Sequence, residues 1–480
     1  MQLDRRTLLQ LGAAGLAAAA APGAEASGPA DWALAVRSLS GDVAPRPLSL
    51  VSGRVPAGLE GTLYRNGPAQ FARGDTLAHW FDGDGLVRAF RIGPSGATLA
   101  ARFVDTPKRR AEAAADRMIV GGFAPGAPNA VIRGTGDANA ANTSVLAVKD
   151  RLWALWEGGS PIEVDPATLR TLGPVSFRDD LREVPFLAHP RRAQDGTVWN
   201  LGLAGDRGVI WRLAPDGVLL SATPLRLPRS SYVHDFTITD RDVVILLQPW
   251  LRERDGEALT DSLVWRPEAG SQVLVLDMDD LSRRRIYELP PLFFFHLGDG
   301  WREADGSIVF DGCFRRDDRH AVRDIGRMTR GTPFVAAPMT SALVRLGPGD
   351  RATVEWTSTV AEFPGSDGRY AGRRRRFSWH TTGDERPLSR GLAVRDWRSG
   401  RLRTCDLGGG HVMEEAVFAA RPGGSEEGDG WLIAPSINLR ERVTELHVFD
   451  ARHLDAGPLC TWRADIALPS SFHGAFVSSA

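Results

Sequence analysis

Apolar residues in this chain fall in short runs, broken at close intervals by Asp, Pro and Gly. SVLAVKDRLWALWEGG, GVIWRLAPDGVLLSA, DFTITDRDVVILL, SQVLVLDMDD, SALVRLGPGD and TELHVFDARH each read as a strand, a turn and the start of another strand. In RLWALW both alternating sets are apolar, with Leu152, Ala154 and Trp156 on one side and Trp153 and Leu155 on the other. That pattern predicts a strand packed between two sheets. No long helical pattern follows the N-terminal segment. The strand–turn–strand unit recurs: Ile162, Ile210, Val273, Leu343, Leu392 and Leu446 mark comparable places, 48, 63, 70, 49 and 54 residues apart. Propeller blades of four strands repeat at about 40–50 residues, with insertions in loops. The expectation is therefore an all-β chain, either a propeller or a pair of β-sandwiches.

The N-terminus has a different grammar. Arg5 and Arg6 precede Thr7-Leu8-Leu9, an apolar run extends from Leu11 to Ala21, and Ala24-Glu25-Ala26 has the form of a cleavage site. This predicts a twin-arginine signal peptide over residues 1–26, an exported or periplasmic protein, and one domain over residues 27–480. The apolar run is too short to span a bilayer.

Charge narrows the function. With 58 Lys+Arg against 59 Asp+Glu, the net charge of −1 lacks the basic excess of a nucleic-acid binder. Gly (52) and Pro (31) are abundant, as a turn-rich β fold requires. Lys108 and Lys149 are the only lysines, so lysine-centred chemistry has little room. Cys313, Cys405 and Cys460 are odd in number and widely spaced, without a C-x-x-C; they read as small buried residues, with one disulfide as the other possibility. The basic cluster RYAGRRRRFSW (369–379) reads as a solvated loop.

Four of the ten histidines share an apolar or aromatic setting: His189 in LAHP, His234 in VHDF, His296 in FFFH and His473 in FHG. The first two gaps, 45 and 62 residues, are each about one blade. Inner strands of successive blades converge on a propeller axis, so the four rings can meet around one ion suited to imidazole. A divalent ion held by neutral rings calls for carboxylates on the outer ring nitrogens. Glu157 in LWEGG, Glu362 in AEFPG and Glu415 in MEEAVF are the candidates. His79, opening HWFDGDG, reads as a structural hydrogen-bonding residue, and the remaining histidines as bystanders.

The chain resembles the carotenoid cleavage oxygenase family, most of all its bacterial apocarotenoid-cleaving members. The resemblance runs from about Leu59 to Phe476 through GTLYRNGPAQF, HWFDGDGLVRAF, RFVDT, NAANT, LWEGGSP, AHP, HDFTIT, FFFH, EFP, EEAVFAARP and FHG. It implies a seven-bladed β-propeller with a loop cap over non-haem Fe(II). The matching ligand positions are His189, His234, His296 and His473, with Glu157, Glu362 and Glu415 behind them. It also implies cleavage of a C=C bond of an apolar polyene by O₂ into two carbonyl products. Phe81, Phe103 and Trp156 match tunnel-lining positions. The sequence departs from the family pattern after His296 (Leu297-Gly298-Asp299-Gly300) and at Ala416, where proline is usual. Stilbene-cleaving relatives carry a tyrosine and a lysine that engage a phenol; Phe103 stands at the tyrosine position, which favours a carotenoid-derived polyene. A propeller that binds apolar ligands without chemistry is the alternative outside enzymology. Trp250, Leu251, Leu263, Val264 and Trp265, with Arg252 and Arg254, are a candidate peripheral membrane contact, against a solvated loop with two packed tryptophans.

Overall fold

A computed structural model of the chain describes residues 31–127, 131–254, 258–317, 321–332, 338–384 and 388–479, except the side chains of residues 31 and 321–324. The expected signal peptide lies outside the described residues.

The six residues used to mark the repeat all fall in one kind of strand. Ile162, Ile210, Val273, Leu343, Leu392 and Leu446 each lie in the third strand out from the axis of a different sheet. The two long spacings have local causes. A hairpin made of Trp250–Arg252 and Leu263–Trp265 is inserted before Val273, and the helix Ala321–Met328 before Leu343.

Five of the sheets are separate antiparallel four-stranded blades, and a ten-stranded sheet supplies two more. Its two halves are joined by the strand Val43–Gly53. Residues 43–48 of that strand pair with 97–101, and residues 49–53 pair with 460–463. The C-terminal strand His473–Ser478 then returns to the inner edge of the first blade, pairing His473 with Asn66. The fold is therefore a seven-bladed propeller whose ring is closed by both ends of the described chain.

Apolar surface is buried mainly between blades. Leu152 and Ala154 pack with Tyr64, Val87 and Val145 on one side of their sheet, while Trp153 and Leu155 pack with Phe186, Val198 and Trp211 on the other. Both faces of RLWALW are thus covered, as the double alternation requires. Cys313, Cys405 and Cys460 are free thiols, the first and last buried. Among the described residues no helix is long and apolar enough to cross a membrane.

One sequence expectation needs correction. The basic cluster is not simply a solvated loop: Arg375 is buried, pairs with Asp311 and stacks over Trp301, while Arg376 pairs with Asp396 at 2.6 Å. Of the candidate membrane contact, two apolar residues turn inward, while Leu251, Val264 and Trp265 stay partly exposed beside exposed Arg252 and Arg254. Trp250 and Leu263 are buried with Phe293 and Tyr232, because the inserted hairpin folds back over the blade that carries His296. Trp250→Ala is accordingly expected to cost about 3–5 kcal/mol of stability, as for other buried Trp truncations. Chemical denaturation and vesicle flotation check this; loss of flotation at unchanged stability would restore the surface reading.

Candidate metal centre

The ligand atoms of His189, His234, His296 and His473 lie within 4.8 Å of one another. They come from four places in the ring. His189 and His234 precede the short inner strands Arg191–Arg192 and Thr237–Ile238, His296 lies in Phe293–Arg302, and His473 opens the closing strand.

Each of three rings turns its outer nitrogen to one of the three expected glutamates. His296 Nδ1 donates to Glu362 Oε2 at 2.6 Å, and His473 Nδ1 donates to Glu415 Oε1 at 3.0 Å. His234 Nδ1 pairs with Glu157, whose carboxylate also accepts the Tyr232 hydroxyl at 3.0 Å. Among the described residues no carboxylate pairs with His189. An ionised carboxylate only accepts hydrogen bonds, so each of these three Nδ1 atoms carries the proton and each Nε2 presents a lone pair.

Those lone pairs face one another. Nε2 of His296 is 3.1 Å from Nε2 of His473, and Nε2 of His189 is 3.0 Å from Nε2 of His234. Two imidazole nitrogens at right angles around an ion, each about 2.1 Å away, are separated by about 3.0 Å. The donor set therefore fits one metal ion.

The electrostatics are divided. Burial, helped by the other three histidines, holds His189 far below the usual imidazole range, and burial lowers His473 to about 4 against the pull of Glu415. Burial also opposes a charge on His296, but Glu362 outweighs it and raises that ring. A bound ion replaces the proton that Glu362 favours there. Burial pushes the Glu362 and Glu415 carboxyls up; His296 for the first, and His473 with Arg65 for the second, more than reverse it. Tyr232 is raised well above its ordinary value by burial and by Glu157, so it remains a donor.

An apolar cavity of about 180 Å³ opens on the centre. Trp80, Phe81, Phe123, Phe295, Phe363 and Phe472 supply much of its wall, and Ile325 and Met328 of the inserted helix close over it. Phe123, Trp156 and Glu157 also border a second cavity of about 320 Å³. Phe81 and Trp156 are therefore in the expected place. Phe103 is not: it is buried in the core between the first and seventh blades, with the Arg109 guanidinium 3.8 Å from its ring centroid. It ends an outer strand, too far from the axis to meet a ligand there. The lysines are elsewhere as well. Lys108 is buried between Asp84 (3.2 Å) and Glu112 (2.7 Å), and Lys149 is exposed in a turn.

Sequence reasoning missed the residues that lock the ligand loops together. Arg191 donates to both Asp235 oxygens at 2.7 Å and to the Leu297 carbonyl at 2.8 Å, and Asp235 accepts the Leu297 N–H at 2.8 Å. Each of these lies within two residues of a histidine of the cluster. Arg65 does the same for His473, reaching Glu415 at 2.5 Å, Ser471 Oγ at 2.9 Å and the Phe472 carbonyl at 2.8 Å. The motif YRNGP is built for this: a Cβ on Gly67 would lie 2.6 Å from the Ser471 Cα.

A family model described as RPE65, retinal pigment epithelial membrane protein, matches residues 38–478. The chain belongs to the carotenoid oxygenase family. This carotenoid oxygenase is 29% identical to the apocarotenoid-15,15'-oxygenase of Synechocystis sp., over 89% of the chain and 92% of the relative. It is 28% identical to lignostilbene-alpha,beta-dioxygenase isozyme III of Sphingomonas paucimobilis, over 88% and 92%. The crystal structure of cobalt-substituted Synechocystis ACO, an apocarotenoid oxygenase, superposes with a TM-score of 0.86 at 25% identity, covering 94% of this chain and 99% of that one.

The carboxylates behind the rings yield a direct expectation. Glu157→Gln and Glu362→Gln should each lower metal affinity or activity by about 10–100-fold. Metal titration of the apoprotein measures it; wild-type affinity in both variants would show that the rings are held by packing alone.

Proposed function

We propose that this protein is a non-haem Fe(II) dioxygenase that cleaves one C=C bond of an apocarotenoid-like polyene with O₂, giving two carbonyl products. The observation that carries this reading is the joining of a four-histidine centre to an aromatic-walled apolar cavity. His189, His234, His296 and His473 would hold the iron, which when bound supplies the oxygen chemistry. The chain's own share is positioning. Glu157, Glu362 and Glu415 fix the ring tautomers. The aromatic wall strips water from the substrate and sets which bond lies at the centre, with burial contributing about 25 cal/mol per Å² of apolar surface.

A stilbene-cleaving role is the second reading, favoured by the lignostilbene relative. The argument against it from Phe103 falls, since that ring lies outside the cavity. Another takes its place: neither lysine lines the cavity, and among the described residues the one tyrosine nearby, Tyr232, borders the adjoining cavity with its hydroxyl already given to Glu157. The test is to load the protein with iron and offer apocarotenoids and hydroxystilbenes in air, identifying the carbonyl products. Cleavage of a hydroxystilbene faster than of every polyene would move the protein to the stilbene branch. We further propose export by the twin-arginine route, supported by Arg5, Arg6 and the following apolar run. A mature chain in the periplasmic fraction, lost on replacing both arginines with lysine, tests it.

A further inference from the structure

Away from the metal centre, the polar side chains lining the cavity are Thr143, Ser389, Glu414, Ser470 and Ser471, and the first two are hydrogen-bonded to Asn142 and Thr381. Glu414 lines it beside the segment Ser470–Ser471, although its side chain is buried. One oxygen, Oε2, accepts the Ser471 hydroxyl and lies 3.7 Å from Arg65 Nη2. The other, Oε1, accepts no hydrogen bond from the described residues. Ser470 is 4% exposed and lines the same cavity, and its hydroxyl is buried with no partner among the described residues. A carboxylate and a hydroxyl therefore line the same cavity, among phenyl and indole rings. A polar group left unmatched in an enclosed wall is costly, so a partner is expected from what occupies the cavity. Glu414 is not needed to hold a histidine, since Glu415 does that for His473.

We propose that Glu414 and Ser470 form a subsite for a hydroxyl group of the substrate, so that the enzyme selects hydroxyl-bearing polyenes over aldehydes of the same length. This rests on the dioxygenase reading above and names its substrate class. A carboxylate accepts and cannot donate, so the group it meets must carry a proton. An alcohol gives that proton to Glu414 and accepts one from Ser470. An aldehyde oxygen has only lone pairs and meets the carboxylate as a like pole. Sites built around a substrate hydroxyl reject analogues lacking it strongly, by up to about 10⁴–10⁵-fold. A phenol offers the same chemistry as an aliphatic alcohol, so both must be tried.

The experiment measures binding and turnover side by side. Quenching of tryptophan fluorescence, with Trp80 and Trp156 in the wall, gives Kd for an apocarotenol and the apocarotenal of equal length. The same is done for 4-hydroxystilbene and its methyl ether. Wild type is expected to bind the alcohol at least tenfold more tightly than the aldehyde. Glu414→Gln, whose amide can donate to a carbonyl, should reverse that order, and Ser470→Ala, which removes a donor that either oxygen can use, should weaken the binding of both. Equal Kd values in wild type, or an unchanged order in Glu414→Gln protein that folds, overturn the proposal. Should Glu414→Gln fail to fold, Ser470→Ala decides: alcohol and aldehyde bound as tightly as by wild type overturn it. Discrimination between the stilbenes but not the polyenes also overturns it and assigns the corner to a phenol. Selective binding of the alcohol without cleavage of any polyene by iron-loaded protein would support the subsite and reject the dioxygenase reading.

Discussion

Replacing His296 with alanine is expected to leave the purified protein without stoichiometric iron and without turnover. The loss should exceed that of any glutamate change, because two defects arise together. One of four lone pairs aimed at the centre disappears. Glu362 also loses the ring that offsets its burial, keeping among the described residues the Phe363 N–H at 2.7 Å as its one hydrogen-bond donor. A carboxylate left without its partner in so enclosed a place either takes up a proton or draws in water, and both loosen the loop that carries it. This position is also the stringent one to test, since the residues after it depart from the family pattern. The structure gives a reason why the departure is tolerated: the Leu297 backbone is clamped by Arg191 of the strand Arg191–Arg192 and by Asp235, just before Thr237–Ile238, so its orientation does not depend on the side chains that follow. Elemental analysis after iron loading reads the result. Full occupancy in His296→Ala protein would mean that this ring is not a ligand.

The clamp also shows which parts of the site were legible in the sequence. A histidine beside aromatic residues, repeated at blade spacing, is a local signal, and His189, His234 and His296 lie in three successive blades. His473 broke the spacing because ring closure, not another repeat, brings it to the axis. Arg65, Arg191, Asp235 and Tyr232 act through contacts with distant segments or carbonyls; the last three lie within two residues of a cluster histidine, but the sequence does not show which partners they reach. The fold was legible for a related reason: alternation and spacing are local, and the two irregular spacings only marked inserted elements. Phe103 lies away from the cavity expected for it, and Trp250 follows the packed alternative. Alternation places an aromatic on a face of a sheet but does not say whether the face meets a cavity, another blade or solvent. Phe103 meets another blade and Trp250 meets an aromatic cluster under its own hairpin.

The second large effect is expected at Arg65. Its guanidinium is completely buried, joins Glu415 at 2.5 Å and approaches Glu414 at 3.7 Å. Arg88 is the next buried cation; burial lowers it to about 10, opposed by the charge of Glu414. Arg65→Met keeps much of the side-chain volume but leaves two carboxylates with one fewer cation beside the ligand strand. Removing one partner of a buried ion pair typically costs about 3–5 kcal/mol, because the remaining charge stays desolvated. The same change frees Ser471 and the Phe472 carbonyl, which fix the approach to His473. Both stability and iron retention should therefore fall. Lysine should not rescue it, since one ammonium cannot reproduce the fork that meets three partners at once. The double variant Arg65→Met/Glu414→Gln separates the causes. If the unpaired charge dominates, removing one carboxylate should restore part of the lost stability in chemical denaturation while iron retention remains poor. A double variant no more stable than Arg65→Met would assign the loss to packing, and a stable Arg65→Met protein that keeps its iron would show that Glu415 holds His473 unaided.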